Sequence, residues 1–180
     1  MEQMTSRSKL FGLVAAISIV AAACSVSGAV DAPGGVSQQN AEIAPMFTVP
    51  TADGGEFSLA EHLANDGRPI FLNLWASWCF PCREEMPDID RSSHAFPDIA
   101  FIGVSIQDNR SDAEEIAIEI GVTYIIAFDD DDEVDDTYKP LGLPASYIIS
   151  ADGVIVERIF GKVTEEDLAE KFAEHFGLSR

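Results

Sequence analysis

Residues 69–76 read PIFLNLWA, and two residues further on come two cysteines spaced as Cys79-Phe80-Pro81-Cys82. An apolar run of strand length with almost no polar alternation marks a strand buried on both faces. A sheet buried that way needs a layer of helices on each side. The rest of the chain supplies the elements. Met46 and Val49 lead into Asp53-Gly54-Gly55, with Glu56 and Ser58 beyond it, a hairpin-like signal. A short helix is expected over residues 59–64 and a longer one over residues 81–95. Residues 99–105 (IAFIGVS) predict a second buried strand, and residues 124–128 a third. Ser111 with Glu114 reads as a capping box opening a helix that runs to about residue 120. A short helix around residues 134–138 follows. Residues 146–150 and 154–160 flank Ala151-Asp152-Gly153 as a hairpin, and Thr164 caps a last helix closed by Gly177. The order predicts a three-layer α/β domain with a mixed central sheet flanked by helices.

The 180 residues suit one ordinary domain and a leader. At 47 % hydrophobic the chain can bury a core, which excludes a disordered protein. With 11 basic residues against 31 acidic ones, the net charge of -20 excludes nucleic acid as a partner, since phosphates need basic clusters. At the N-terminus, Arg7 and Lys9 precede an uncharged apolar run that ends in Ala21-Ala22-Ala23-Cys24, an export-signal pattern. A cysteine after three alanines also resembles a bacterial lipobox, in which the thiol is lipidated and becomes the mature N-terminus. Residues 1–23 are then a signal peptide with a lipobox-like end. Residues 24–40, rich in Ser, Gly, Pro and Gln, are a flexible tether, and residues 41–180 the folded domain. An uncleaved anchor helix and a soluble product cleaved after Ala23 are two further readings of the same leader. All three place the domain outside the cytoplasm. Without the leader, nine basic residues face 30 acidic ones, a charge of -21.

Three cysteines are too few for a disulfide scaffold, so the adjacent pair is the informative one. A helix start after a buried strand places Cys79 at its rim and Cys82 one turn further in, with the sulfurs within bonding reach. The unpaired N–H groups of that helix end stabilise a thiolate. Cys79 is expected to be the exposed attacking thiolate and Cys82 the resolving thiol. A zinc site would need two more ligands, and Cys24, His62, His94 and His175 are not spaced as a second pair. No metal and no cofactor is expected.

The stretch NLWASWCFPCREEMP resembles the thioredoxin superfamily, specifically the extracytoplasmic, membrane-anchored TlpA/ResA-type thiol-disulfide oxidoreductases. The likeness covers about residues 43–178, including APMFTVPTADGGEFSL and GLPASYIISADGVIVERIFG. It implies a thioredoxin-like fold with an N-terminal β-hairpin and a helix-strand insertion over residues 112–128. It implies a cis-proline at Pro144, with the Leu143 backbone pairing with a bound substrate segment, and Trp78 beside the thiols. Pro87 matches a proline that kinks the active-site helix. Asn73 stands where thioredoxin has a buried Asp, and in this group a Glu after the cysteines supplies the carboxylate, here Glu85, while Glu84 is expected to be solvated. The implied partners are protein disulfides or dithiols, a membrane thiol-disulfide electron donor and the membrane itself, through Cys24. The implied activity is reduction of protein disulfides, with apocytochrome c as one client class. Disulfide introduction by the same fold, and metal or haem delivery by the two thiols, are the rival readings.

Residues 129–136 hold seven acids in eight positions, interrupted only by Val134. One reading is a solvated loop that favours the next helix. The other puts these acids on the rim of the thiols, where they bias docking toward neutral or basic partners.

Overall fold

The structure, a computed structural model, describes residues 41–179. The leader (1–23), the tether (24–40) and Cys24 lie outside the described residues. Strands β1 (Thr48–Pro50) and β2 (Glu56–Ser58) form the expected N-terminal hairpin, followed by α1 (Leu59–Asn65). The main sheet comprises β3 (Ile70–Trp75), β4 (Ala100–Ser105), β5 (Ile125–Phe128), β6 (Ala145–Ile149) and β7 (Ile155–Phe160). Its spatial order is β5-β4-β3-β6-β7. The pairs β3–β4 and β4–β5 are parallel, while β6 runs antiparallel to both β3 and β7. The helices of the domain are completed by α2 (Phe80–Ala95), α3 (Arg110–Ile120), α4 (Glu133–Tyr138) and α5 (Glu165–Phe176). This is the mixed-sheet, three-layer thioredoxin-like architecture that the sequence implied. The insertion is α3 with β5, which adds an edge strand outside β4.

The central strand explains its own composition. Ile70, Leu72 and Leu74 of β3 pack into one core with the hairpin's Phe47, Val49 and Phe57, α1's Leu59 and α4's Val134 and Tyr138. Phe71 and Trp75 enter the other core, with Met86 and Ile89 of α2, Ala117 of α3, and Leu168 and Phe172 of α5. Both faces of β3 are dry, so alternation is lost except at Asn73. The hairpin is tied to the new edge by Ala52 N–H, which donates to the Ile126 carbonyl at 2.8 Å.

One local expectation fails. The cap of α3 is Asn109, one residue before the helix begins at Arg110, and no side chain caps it. Ser111 therefore lies inside the first turn. Glu114 instead accepts from Arg110 Nε at 3.0 Å, an i,i+4 pair that the capping-box spacing cannot be told from by sequence.

Gly103 of β4 sits between Asn73 and Ile126 in the register. A Cβ there would lie 3.0 Å from Tyr124 Cε2 and 3.2 Å from Trp75 Nε1. Both rings are buried and cannot swing away. Gly103→Val is expected to destabilise by about 1–3 kcal/mol, the usual cost of overpacking. The urea midpoint of the oxidised protein measures it, and an unchanged midpoint would show that the layer yields.

Candidate active site

The register places Trp75, Ser105 and Phe128 side by side at the C-terminal ends of the three parallel strands. The loops that follow all open on one rim. The first carries the cysteines. Cys79 is the N-cap of α2, in extended conformation, and its Sγ accepts from the Cys82 N–H at 3.3 Å. The two are joined as a disulfide with Cα atoms 5.3 Å apart. Pro81 falls in the first turn of α2, where its missing N–H costs nothing. Pro87 lies inside the helix and leaves the Arg83 carbonyl without its i+4 donor.

Cys79 is less open than an exposed attacking group implies. It is 4 % exposed in the disulfide state, against 0 % for Cys82. Its neighbours take the solvent instead, with Trp78 61 % and Phe80 69 % exposed. Trp78 is thus not a core aromatic. Its Nε1 donates to the Gln107 carbonyl at 3.0 Å, which fixes the indole at the rim.

The β4–α3 loop holds this cysteine loop in place. Asp108 accepts from Ser77 N–H and from the Ser77 hydroxyl (2.7 Å), and also from the Ser105 hydroxyl (2.9 Å). Gln107 adopts φ 52°, in the left-handed region, and its amide donates to both carboxylate oxygens of Asp135. Gln107 and Asp108 carry no motif of their own in the sequence. The only hint was their place just after a buried parallel strand, where ligand-facing loops sit.

The Leu143–Pro144 bond is cis, and Leu74 pairs with Ala145, so this turn lies against the end of β3. Leu143 packs onto the core that contains both cysteines. The Pro144 carbonyl accepts from Gly161 N–H at 3.0 Å, which links the turn to the end of β7.

Beneath the disulfide, one turn along α2 from Cys82, Glu85 is completely buried. Its Oε1 accepts from Asn73 Nδ2 and its Oε2 from the Val163 N–H, both at 2.8 Å. Asn73 Nδ2 also donates to Ser146 Oγ at 3.0 Å. Burial pushes the Glu85 carboxyl up to about 7, against the opposing pull of these bonds and of Lys162. It can therefore take or give a proton near neutral pH. Glu84 faces solvent and pairs with Lys162 at 3.2 Å.

Residues 41–158 match the AhpC/TSA family. The chain belongs to the AhpC/TSA family. ResA, a thiol-disulfide oxidoreductase of Bacillus thuringiensis (strain Al Hakam), is 33 % identical over 130 residues, covering 69 % of this chain and 72 % of that one. The thioredoxin-like protein YneN of Bacillus subtilis (strain 168) is 28 % identical over 140 residues, covering 76 % and 80 %. A putative thiol:disulfide interchange protein DsbE from Chlorobium tepidum shares the fold at a TM-score of 0.65. It is 23 % identical, with 73 % of this chain and 92 % of that one covered. Within the AhpC/TSA family this chain is thus a thioredoxin-like thiol-disulfide oxidoreductase of the ResA type.

In this AhpC/TSA-family member the acidic run divides its labour. Asp129 is buried, and its two oxygens accept from the N–H groups of Val134 (2.9 Å) and Asp135 (2.8 Å), capping α4. Burial raises its carboxyl above the usual range, against those bonds. Asp130 pairs with Arg110 at 3.0 Å. The histidines lie apart from the cysteines. His62 contacts the Arg68 carbonyl, His94 the Thr123 hydroxyl and His175 the Glu157 carboxylate. Among the described residues one group has the closeness that a metal ion needs, Glu157 with Glu174 and His175. Glu157 there already pairs with Lys171 as well as His175.

Proposed function

We propose that the protein reduces protein disulfides outside the cytoplasmic membrane, held there by a lipid on Cys24. The observation that carries the reading is a disulfide at a helix N-cap, beside a cis-proline turn and above a buried carboxyl that titrates near neutrality. In the reduced form, the Cys79 thiolate attacks a substrate disulfide sulfur and releases one substrate thiolate, which takes a proton from solvent. Glu85, when ionised, draws the proton from Cys82. The Cys82 thiolate then attacks Cys79 Sγ, closing the protein disulfide and freeing the second substrate thiol. Two electrons pass to the substrate for each disulfide formed. A membrane dithiol donor returns them. Trp78, Leu143 and Pro144 frame the site where the substrate segment lies. Apocytochrome c is a client class in keeping with the ResA resemblance, and Pro81 directly before Cys82 matches reducing members.

The tether is tested on the exported full chain. Cys24→Ala is expected to abolish incorporation of labelled palmitate and to leave a larger, unprocessed form in the cell. An unchanged apparent mass and membrane fraction would sink the lipid anchor. Among the described residues no helix is long and apolar enough to cross a membrane.

A further inference from the structure

The described residues include eight large apolar side chains that face solvent, and four of them lie in the segments that carry the disulfide and the cis-proline turn or pair with them in the sheet. Trp78 and Phe80 flank Cys79. Leu141, 89 % exposed, stands two residues before Leu143, and Phe160, 52 % exposed, pairs with Ala145 next to Pro144. Apolar side chains concentrated at one functional edge mark a contact surface rather than scattered exposure. Trp78 is already fixed by its bond to the Gln107 carbonyl, so its ring is presented without further loss of side-chain freedom. The same Gln107 binds Asp135 through its side chain. Two hydrogen-bonded steps therefore connect the indole beside the cysteine to the acidic run. Asp130, Asp131, Asp132, Glu133 and Asp136 are exposed beyond it. Three cations are matched to carboxylates, Arg110 to Glu114 and Asp130, Arg83 to Glu119, and Lys162 to Glu84, while Lys139, at the end of α4 and two residues before Leu141, is exposed.

We propose that this rim receives a cationic substrate segment, a cysteine-bearing stretch with large apolar side chains beside the cysteine and Lys or Arg around it. This rests on the reading that the thiols exchange with protein disulfides, and adds the chemistry of the partner. The apolar side chains cover Trp78, Phe80 and Leu141, and the exposed Trp78 face also suits a guanidinium. The acids supply steering and exclude acidic partners. With a Debye length of about 8 Å at physiological salt, only acids near the docked segment contribute. Asp129 contributes nothing here, because it is buried as the α4 cap.

The test uses the full chain in detergent, reduced with dithiothreitol and freed of it, so that each molecule delivers one electron pair. Three disulfide-bonded peptides differ only in flanking Lys, Gln or Glu. At low ionic strength the Lys peptide is expected to react about tenfold or more faster than the Glu peptide, and the ratio to shrink several-fold at physiological salt. Replacing Asp130, Asp131 and Asp132 together by Asn, with the Asp129 cap left in place, is expected to compress that ratio by slowing the Lys peptide and speeding the Glu peptide. Far-UV circular dichroism checks that the variant is folded. Equal rates for the Lys and Glu peptides, or a faster Glu peptide, would overturn the cationic-substrate proposal while leaving the redox activity intact. No exchange with any of the three peptides would overturn the redox reading beneath it.

Discussion

Cys79→Ser is expected to slow disulfide exchange by more than about a thousandfold, because the nucleophile itself is removed. Cys82→Ala has the opposite signature. It keeps the first attack and loses the second, so it accumulates mixed disulfides through Cys79 that run as adducts on non-reducing gels and dissolve with dithiothreitol. The asymmetry follows from position. Cys79 caps α2 at the rim with its sulfur receiving an N–H, while Cys82 lies wholly inside. Alkylation of the reduced protein near neutral pH should mark Cys79 first. Adducts through Cys82 in the Cys79→Ser protein, at the rate of the native one, would reverse the two roles. Those adducts also report which proteins the enzyme meets.

Glu85→Gln is expected to change how stability and exchange depend on pH. The buried carboxyl titrates at about 7, against a value of 4.5 when exposed. The folded state therefore holds its proton more tightly than the unfolded chain does. Below pH 4.5 both states are protonated and the group contributes nothing. Between 4.5 and 7 stability falls as pH rises, and above 7 the full cost of the buried charge, about 3 kcal/mol, is present. The native protein should lose roughly that much more between pH 5 and pH 8 than Glu85→Gln does. Gln brings its own pH-independent cost. Two donors, Asn73 Nδ2 and Val163 N–H, face the carboxylate, and an amide offers one acceptor where there were two. Urea unfolding of both oxidised proteins at the two pH values measures the difference, and parallel losses would refute the linkage. In exchange, the variant should resolve the Cys79 mixed disulfide about a hundredfold more slowly at pH 7.5, with a flatter pH profile, if Glu85 takes the Cys82 proton as proposed.

The rim illustrates how a strained residue serves a site. Gln107 holds a left-handed backbone that costs a side-chain-bearing residue energy, and the surrounding bonds to Trp78 and Asp135 keep it there. The acidic run serves both structure and rim. Asp129 closes a helix, and its neighbours stay in water where charge acts at a distance.

Periodicity, turn residues and the spacing of two cysteines are short-range signals, and they alone determined the layers, the strand that is dry on both faces and the helix that starts at the cysteines, while the cis-proline at Pro144 was legible only through the resemblance to the thioredoxin superfamily. What needed the tertiary structure were contacts between distant parts of the chain. Ser77 meets Asp108 across 31 positions, and Glu85 meets Val163 across 78. The three-residue step from Cys82 to Glu85 put the carboxyl near the thiols. Only the packing of α2 on β3, with the segment before α5 closing over it, removed the water that would have kept it an ordinary acid. The failed cap of α3 has the same origin. Ser111 and Glu114 fit the local rule, but Asp108 is drawn to the cysteine loop, the helix starts two residues earlier than that rule implies, and Arg110 takes the glutamate. Backbone preference is decided by neighbours in sequence, whereas solvation and hydrogen-bond partnership are decided by whatever the fold brings alongside.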